Sequence, residues 1–386
     1  MKLPPFCPNP HCRFHDPELV RNTPDPFYEF YGTYMTKVVG QVQRFHCLAC
    51  GKSFGERTFL LDYYTKKTLD YQELMRSVSS GECLSSMAKA HRCSIATLEN
   101  RLERLSRNGI LFHVGCLRSI KLWESLSADG FESFDVSEFH PNNIDILVGT
   151  QSQFLYAFTH YTLRRKGRMT EEQRAMRAEL ERRYKPPKGA AARAFTALAG
   201  EIPALWNRRR LPVLELKTDE HRAYPIALKR VAPIAEAMTE GTFVHRTFSS
   251  KERRTIFNPL FPVNYYDREL RKDLAAFHRE SLCFNRNAAN ALARLMCHLL
   301  YHNYFKEYRV KWGAERFPSH AEVAGVDHSL LEDGLRTLFT DRLFYTHYHV
   351  SDVWRKVWAR EYRTPLKKRA EYLPKFARVA RANKVR

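Results

Sequence analysis

Ser127-Ala128-Asp129-Gly130-Phe131-Glu132-Ser133-Phe134, Asp145-Ile146-Leu147-Val148-Gly149 and Phe154-Leu155-Tyr156-Ala157-Phe158 are three short apolar runs parted by brief polar turns. Runs of that length and composition predict consecutive strands, a meander that opens an α/β domain. Strand signals resume at 211–216 and at Phe243-Val244-His245, and helices are expected near 224–231, 263–277 and 287–304. The alternation predicts a mixed sheet with flanking helices.

Two acids in this pattern carry chemical interest. Asp129 interrupts an apolar strand, which is costly unless the carboxylate is solvated or binds a cation. Asp219 follows the apolar run 213–216 in Lys217-Thr218-Asp219-Glu220-His221, and functional groups of open α/β sheets collect beyond the carboxyl ends of strands. Oxygen ligands of this kind suit Mg²⁺ or Mn²⁺. From these residues alone, a turn or helix cap is the competing reading of Asp219.

Upstream lie two cysteine pairs, Cys7-Pro-Asn-Pro-His-Cys12 and Cys47-Leu-Ala-Cys50-Gly-Lys. Four thiolates in two close pairs make a tetrahedral structural Zn²⁺ site, and Gly51 is free to take the positive φ that such a knuckle needs. Phe27-Tyr28-Glu29-Phe30-Tyr31, between the pairs, supplies strand signals. Spacing leaves open a redox pair, a disulfide, or a ligand role for His11, His15 or His46.

Between the cysteines and the strands, Leu84, Met87 and Ala88 recur at helical spacing, as do Ile95, Leu98, Leu102 and Leu105, with Ser94 as an N-cap. Two short helices in this order predict a helix-turn-helix that turns Thr97, Asn100, Arg101 and Arg104 outward toward a DNA major groove. A helical hairpin that merely packs is the alternative.

The chain has 386 residues and a formal net charge of +21. Segment 354–386 holds twelve Lys/Arg against two Glu, and segment 163–210 holds fourteen against five. Charge concentrated in this way is the footprint of a polyanion partner. Arg164, Arg165, Lys166, Arg208, Arg209 and Arg210 are accordingly expected phosphate contacts. Segment 163–210 reads as a basic helical insertion, with a helix start at Met169-Thr170-Glu171-Glu172 and a break at Pro186-Pro187. No run of about 18 apolar residues is present, so no membrane partner is expected. A cytoplasmic, nucleoid-associated protein is, and the scattered remaining cysteines fit a reducing compartment.

Taken together, these motifs resemble the bacterial insertion-sequence transposases of the DDE class, over most of the chain from Cys7 to about Tyr308. The resemblance implies a zinc ribbon (1–60), a helix-turn-helix domain (61–115), a ribonuclease-H-like core (116–310) and a basic helical C-terminal region (311–386). Asp129 matches the family's first catalytic acid, and Thr218-Asp219, followed by Tyr224, matches the second. Leu270-Arg271 and Arg279-Glu280-Ser281-Leu282-Cys283-Phe284 match the element after the third. Counting back, the family's Glu falls on Asn264. Asp267, near one turn further on, is the nearest acid able to replace it, whereas Glu269 is rotated from Asp267 by about 200°. The resemblance thus implies Mg²⁺- or Mn²⁺-dependent cleavage and strand transfer on double-stranded DNA by Asp129, Asp219 and Asp267, in a homo-oligomer that joins two ends. The substitution at Asn264 leaves a DNA-binding regulator with an inactive core as the alternative.

Overall fold

The computed structural model describes residues 3–207, 211–278, 283–309 and 316–382. Eight strands form two sheets. The first, antiparallel in order β1-β2-β3, comprises Tyr28–Thr36 (β1), Gly40–Cys47 (β2) and Ser53–Gly55 (β3). The second has five strands in order β6-β5-β4-β7-β8. Its members are Leu126–Phe134 (β4), Pro141–Gly149 (β5), Leu155–Thr162 (β6), Leu214–Asp219 (β7) and Phe243–Phe248 (β8).

The expected meander is present: β4 pairs β5 antiparallel from Leu126↔Gly149 to Phe134↔Pro141, and β5 pairs β6 antiparallel. Strand β7 then lies parallel to β4, and β8 parallel to β7. Strand β5 is buried almost throughout, and Phe154, Tyr156 and Phe158 are each fully buried. Burial of such side chains stabilises by about 1.5–3 kcal/mol apiece. That is why an apolar run, with little of the polar alternation of a half-solvated sheet, marks this strand.

Helices cover the sheet. Phe261–Asp273 packs against β4 and β5, with Val263, Tyr266 and Leu270 buried at i, i+3 and i+7. Ala190–Ala199 packs on β5, β6 and the helix Ala223–Leu228, and buries Phe195 and Leu198. The basic segment 163–210 is therefore of two kinds. Glu171–Arg183, closed by a Thr170/Gln173 capping box, buries no residue, while Ala190–Ala199 belongs to the layer that covers the sheet.

The second helix of the helix-turn-helix pair is much longer than its sequence signal. After Leu84–Ala90, the helix Ile95–Ser119 runs for 25 residues and packs along Ala288–Leu300. Gly109 permits the closest approach, because a Cβ there would sit 2.3 Å from Leu300 Cδ1. One apolar core joins Leu74, Met87 and Leu98 to Leu117, Ile146 and Leu295, so it passes through both the 61–115 and the 116–310 segments.

The cysteine module has a separate aromatic core of Phe6, Phe14, Phe27, Phe45, Phe54 and Phe59, joined by Phe344 from the far end of the chain. Hydrogen bonds fix that contact. His15 Nε2 lies 2.6 Å from Thr346 Oγ1, and His347 Nε2 lies 2.9 Å from the His15 carbonyl oxygen. Among the described residues, no helix is long and apolar enough to cross a membrane.

Candidate functional site

Two clusters carry chemistry. In the first, the knuckle after β2 and the turn before Arg13–His15 bring Cys7, Cys12, Cys47 and Cys50 together. Their sulfurs all lie within 4.8 Å of one another, with Cys7–Cys50 at 3.6 Å and Cys12–Cys47 at 3.7 Å. These separations exclude disulfides, whose sulfurs lie about 2.05 Å apart. They match the edge of about 3.8 Å that a tetrahedral ion with Zn–S bonds of about 2.3 Å requires. Gly51 takes φ +68°, as the knuckle demands.

His15 and His46 are otherwise engaged. His15 Nδ1 lies 2.8 Å from the Cys7 carbonyl oxygen and its Nε2 faces Thr346; His46 Nδ1 is 3.3 Å from Ser53 Oγ. Four cysteines are the donor set, and its chemistry fits a structural zinc ion. Cys7 and Cys47 are fully buried and Cys12 nearly so, so the site is closed, without the open position a catalytic zinc keeps.

The second cluster lies on the five-stranded sheet. Strands β4 and β7 pair at Leu126↔Leu216 and Ser127↔Lys217, and Asp129 and Asp219 each lie two residues beyond that pairing on their strands. Asp267 comes from the helix Phe261–Asp273, which packs over β4. Burial, then the negative charge of Asp219, pushes the Asp129 carboxyl up to about 6. Burial and the charge of Asp129 push Asp267 up to about 8, against the pull of Arg271 and Arg254. Asp219 thus acts on Asp129, and Asp129 on Asp267. Asp267 Oδ1 is buried without a hydrogen-bond partner, the state of a carboxylate oxygen that lacks a cation or donor.

Local contacts hold the acids. The Gly130 N–H donates to Asp129 Oδ1 at 2.7 Å, and the Tyr224 hydroxyl approaches the same oxygen at 3.4 Å. Asp219 Oδ1 accepts from the His221 N–H at 2.9 Å, and Thr218, fully buried, pairs with His245 Nε2 at 2.8 Å. Gly130 is required by proximity: a Cβ there would lie 2.2 Å from Asn143 Nδ2. Glu269 is directed elsewhere, to Lys306 and to Lys272, as its rotation from Asp267 requires.

A fourth acid adjoins the group. Asp145 on β5 is fully buried and accepts from Asn143 Nδ2 at 2.7 Å and Thr159 Oγ1 at 3.4 Å. Burial, with the charge of Asp129 adding to it, holds its carboxyl well above the usual range. Its sequence signal was the one that singled out Asp129, an acid inside an apolar strand, here Ile144-Asp145-Ile146.

The three carboxylates are not drawn as close as the sulfurs. Among the described residues, the four cysteines are the one His/Cys/Asp/Glu group whose ligand atoms approach within 4.8 Å.

The expected DNA-contacting residues divide. Arg101 is buried, donating to the Lys67 carbonyl at 3.0 Å and to Asn100 Oδ1 at 2.6 Å. Arg104 donates to the carbonyls of Leu61 and Tyr63 and lies over the Tyr63 ring at 4.2 Å. Neither arginine turns outward, because both close the segment 61–67 onto the helix. Asn100 stays exposed and Thr97 half-buried beside its Ser94 cap.

Arg164 is held bidentately by Glu181 at 2.7 and 2.9 Å, and Arg165 pairs with Glu138 at 2.9 Å; Lys166 is exposed. Arg208, Arg209 and Arg210 lie outside the described residues. In the C-terminal region Arg355, Arg360 and Lys367 form internal ion pairs with Glu361, Glu103 and Glu371.

Comparison of the chain with protein-family models and with curated proteins finds no match.

Proposed function

We propose that this chain is a DNA transposase of the DDE class, or a close functional equivalent, whose core cleaves and transfers DNA strands with Mg²⁺ or Mn²⁺. The observation that carries the reading is the convergence of Asp129, Asp219 and Asp267 from two adjacent parallel strands and the helix that covers them. The strand order β6-β5-β4-β7-β8, three antiparallel strands followed by two parallel ones, agrees with the ribonuclease-H-like core that the sequence resemblance implies.

The donor set fits divalent cations: hard oxygens, one of them a buried and unpartnered Asp267 Oδ1. Bound there, such cations supply a lowered pKa for water or a hydroxyl and charge stabilisation of the leaving oxygen in phosphodiester chemistry. The chain's own groups do the rest. Asp267, pushed up to about 8, would shed its proton on binding, Tyr224 and the Gly130 N–H orient Asp129, and the His221 N–H orients Asp219. The cysteine module and the helix-turn-helix, through Thr97, Asn100 and the surface around them, serve end recognition, and the excess of positive charge favours the DNA polyanion.

The test is Mg²⁺-dependent nicking of duplex DNA that carries the inverted repeats flanking the gene. Wild-type chain nicks at the repeat ends and Asp219→Asn does not, while both bind. Specific binding by wild type with no nicking in Mg²⁺ or Mn²⁺ overturns the enzyme reading and identifies an end-binding regulator.

A further inference from the structure

The loop that leaves β8 supplies no carboxylate or thiolate to the clusters described above. It reads Ser249-Ser250-Lys251-Glu252-Arg253-Arg254-Thr255-Ile256-Phe257-Asn258, and its two ends tie it to the carboxylates. Phe248, the residue before it, is paired with Asp219; the helix that follows it, Phe261–Asp273, carries Asp267. It therefore spans from one acid to another.

Three features of the loop run against an ordinary surface connection. Its tip is strongly apolar: Phe257 is 87% exposed and Ile256 71%, and Phe257 is the most exposed of the large apolar side chains among the described residues. An aromatic held in water with no protein partner leaves its apolar faces unburied. The backbone that holds it is nevertheless fixed. Asn258 Nδ2 donates to the Arg253 carbonyl at 3.0 Å, Asn258 Oδ1 accepts from the Leu260 N–H at 2.8 Å, and the Thr255 N–H donates to the Arg253 carbonyl at 2.9 Å.

The remaining feature is charge. Lys251, Arg253 and Arg254 stand against Glu252, all exposed, and Arg254 is near enough to draw on both Asp129 and Asp267. No hydrogen bond or ion pair engages its guanidinium among the described residues. An exposed cation in a loop that joins the strand beside Asp219 to the helix bearing Asp267 is available to an anionic group, and a guanidinium matches phosphate bidentately.

A cationic stem beside an exposed aromatic tip is the composition that binds unpaired nucleotides, in which arginine meets the backbone and the ring takes a base face. We infer that the loop 249–258 is a substrate-selecting element: Arg254 binds the scissile phosphate opposite the carboxylates, and Phe257 stacks on an unpaired base next to it, so that the preferred DNA has an accessible base at the cleaved bond. The inference rests on the nucleic-acid reading of the core and adds to it the state of the substrate.

The experiment uses the full chain and two DNAs of identical sequence on the cleaved strand, one fully paired and one with a two-nucleotide mismatch at the scissile position. Binding is measured in Ca²⁺ and nicking in Mg²⁺. Wild type binds the mismatched DNA about tenfold more tightly, in line with base-on-aromatic stacking, and Phe257→Ala loses that preference while keeping affinity for paired DNA within about twofold. In Mg²⁺, Phe257→Ala nicks paired DNA at least about tenfold more slowly and recovers on the mismatched DNA, whereas Arg254→Gln is slow on both. Equal binding of the two DNAs by wild type, or a Phe257→Ala variant that retains the preference, overturns the inference. The mismatch preference with no nicking leaves the loop assignment standing and defeats the catalytic reading instead. Circular dichroism of each variant establishes that it is folded.

Discussion

Asp129 on β4 and Asp219 at the end of β7 each lie two residues beyond Ser127↔Lys217, the last pair joining their parallel strands, and the charge of Asp219 bears on Asp129. Two carboxylates placed in this way repel each other, and burial first, then that repulsion, raises the pKa of Asp129. A protein keeps such a pair at a cost in stability; a bound cation reverses its sign.

The first prediction follows from that pair. Asp219→Asn and Asp129→Asn each lower metal-dependent nicking by at least about 100-fold, since a metal's charge stabilisation amounts to several kcal/mol. Both variants bind end DNA as wild type does, and in metal-free buffer each is at least as stable as wild type because one like charge is gone. Wild-type nicking by Asp219→Asn excludes the carboxylate site as the catalytic one.

A second prediction concerns pH. Glu201, in the turn before Ile202–Trp206, is pushed up to about 7 by burial, although Ser351 donates to its Oε2 at 3.0 Å and favours the ionised form. Its folded pKa lies above the unfolded value of about 4.3. The stability it contributes is therefore full below about pH 4.3 and is lost as pH rises through 7. Glu201→Gln removes the dependence, so the variant gains on wild type between pH 5 and 8, by up to about 3 kcal/mol at the top of the range. Urea midpoints at four pH values measure this; a gap that does not change with pH rules out burial of the carboxyl as its cause.

Zinc removal is the third. A chelator, or Cys50→Ser, empties a site whose ligands are closed and mostly buried, and the module that depends on it unfolds. Because Phe344, Thr346 and His347 rest on that module, amide exchange quickens at 341–347 as well as at 6–59, and not in β4 to β6. Metal content of the purified chain, expected at one zinc, is the accompanying measurement. Loss of nicking on pre-bound ends by a Cys50→Ser chain whose module stays folded contradicts a purely structural zinc.

The fourth concerns the basic C-terminal region. Arg360 is largely buried between Glu103 and Glu371, each 3.0 Å away, and also donates to Asn290 Oδ1 at 2.7 Å. Arg360→Met leaves Glu103 to Arg107 and Glu371 to Lys367 and Asn287, and destabilises by about 1–3 kcal/mol through the charged hydrogen bonds it removes. Exposed Lys368→Met changes stability by less than about 0.5 kcal/mol. A small loss for Arg360→Met returns this residue to the solvent-facing phosphate contacts.

Much of the fold was legible because its signals are local. The runs 127–134, 145–149 and 154–158 announced β4, β5 and β6, and the knuckle at Cys47-Leu-Ala-Cys50 announced the metal cluster. The length of Ile95–Ser119 was hidden. Beyond Leu105 the helix is buried on most sides, so the apolar stripe that marks a surface helix disappears. Arg101 and Arg104 misled for a related reason: an arginine on a helix looks like a solvent or phosphate contact until the chain that returns beneath it, here 61–67, is known. Asp145 and the loop cation Arg254 went unread because their importance lies in what the topology brings beside them.

Contact between His15 and Thr346 spans 331 residues, and this sets an order of events during synthesis. The four cysteines are all made before the surface that seats their module, Phe344 to His347. The module can therefore gather its metal before that surface exists, and its docking must wait for the whole five-stranded sheet between them to be synthesised.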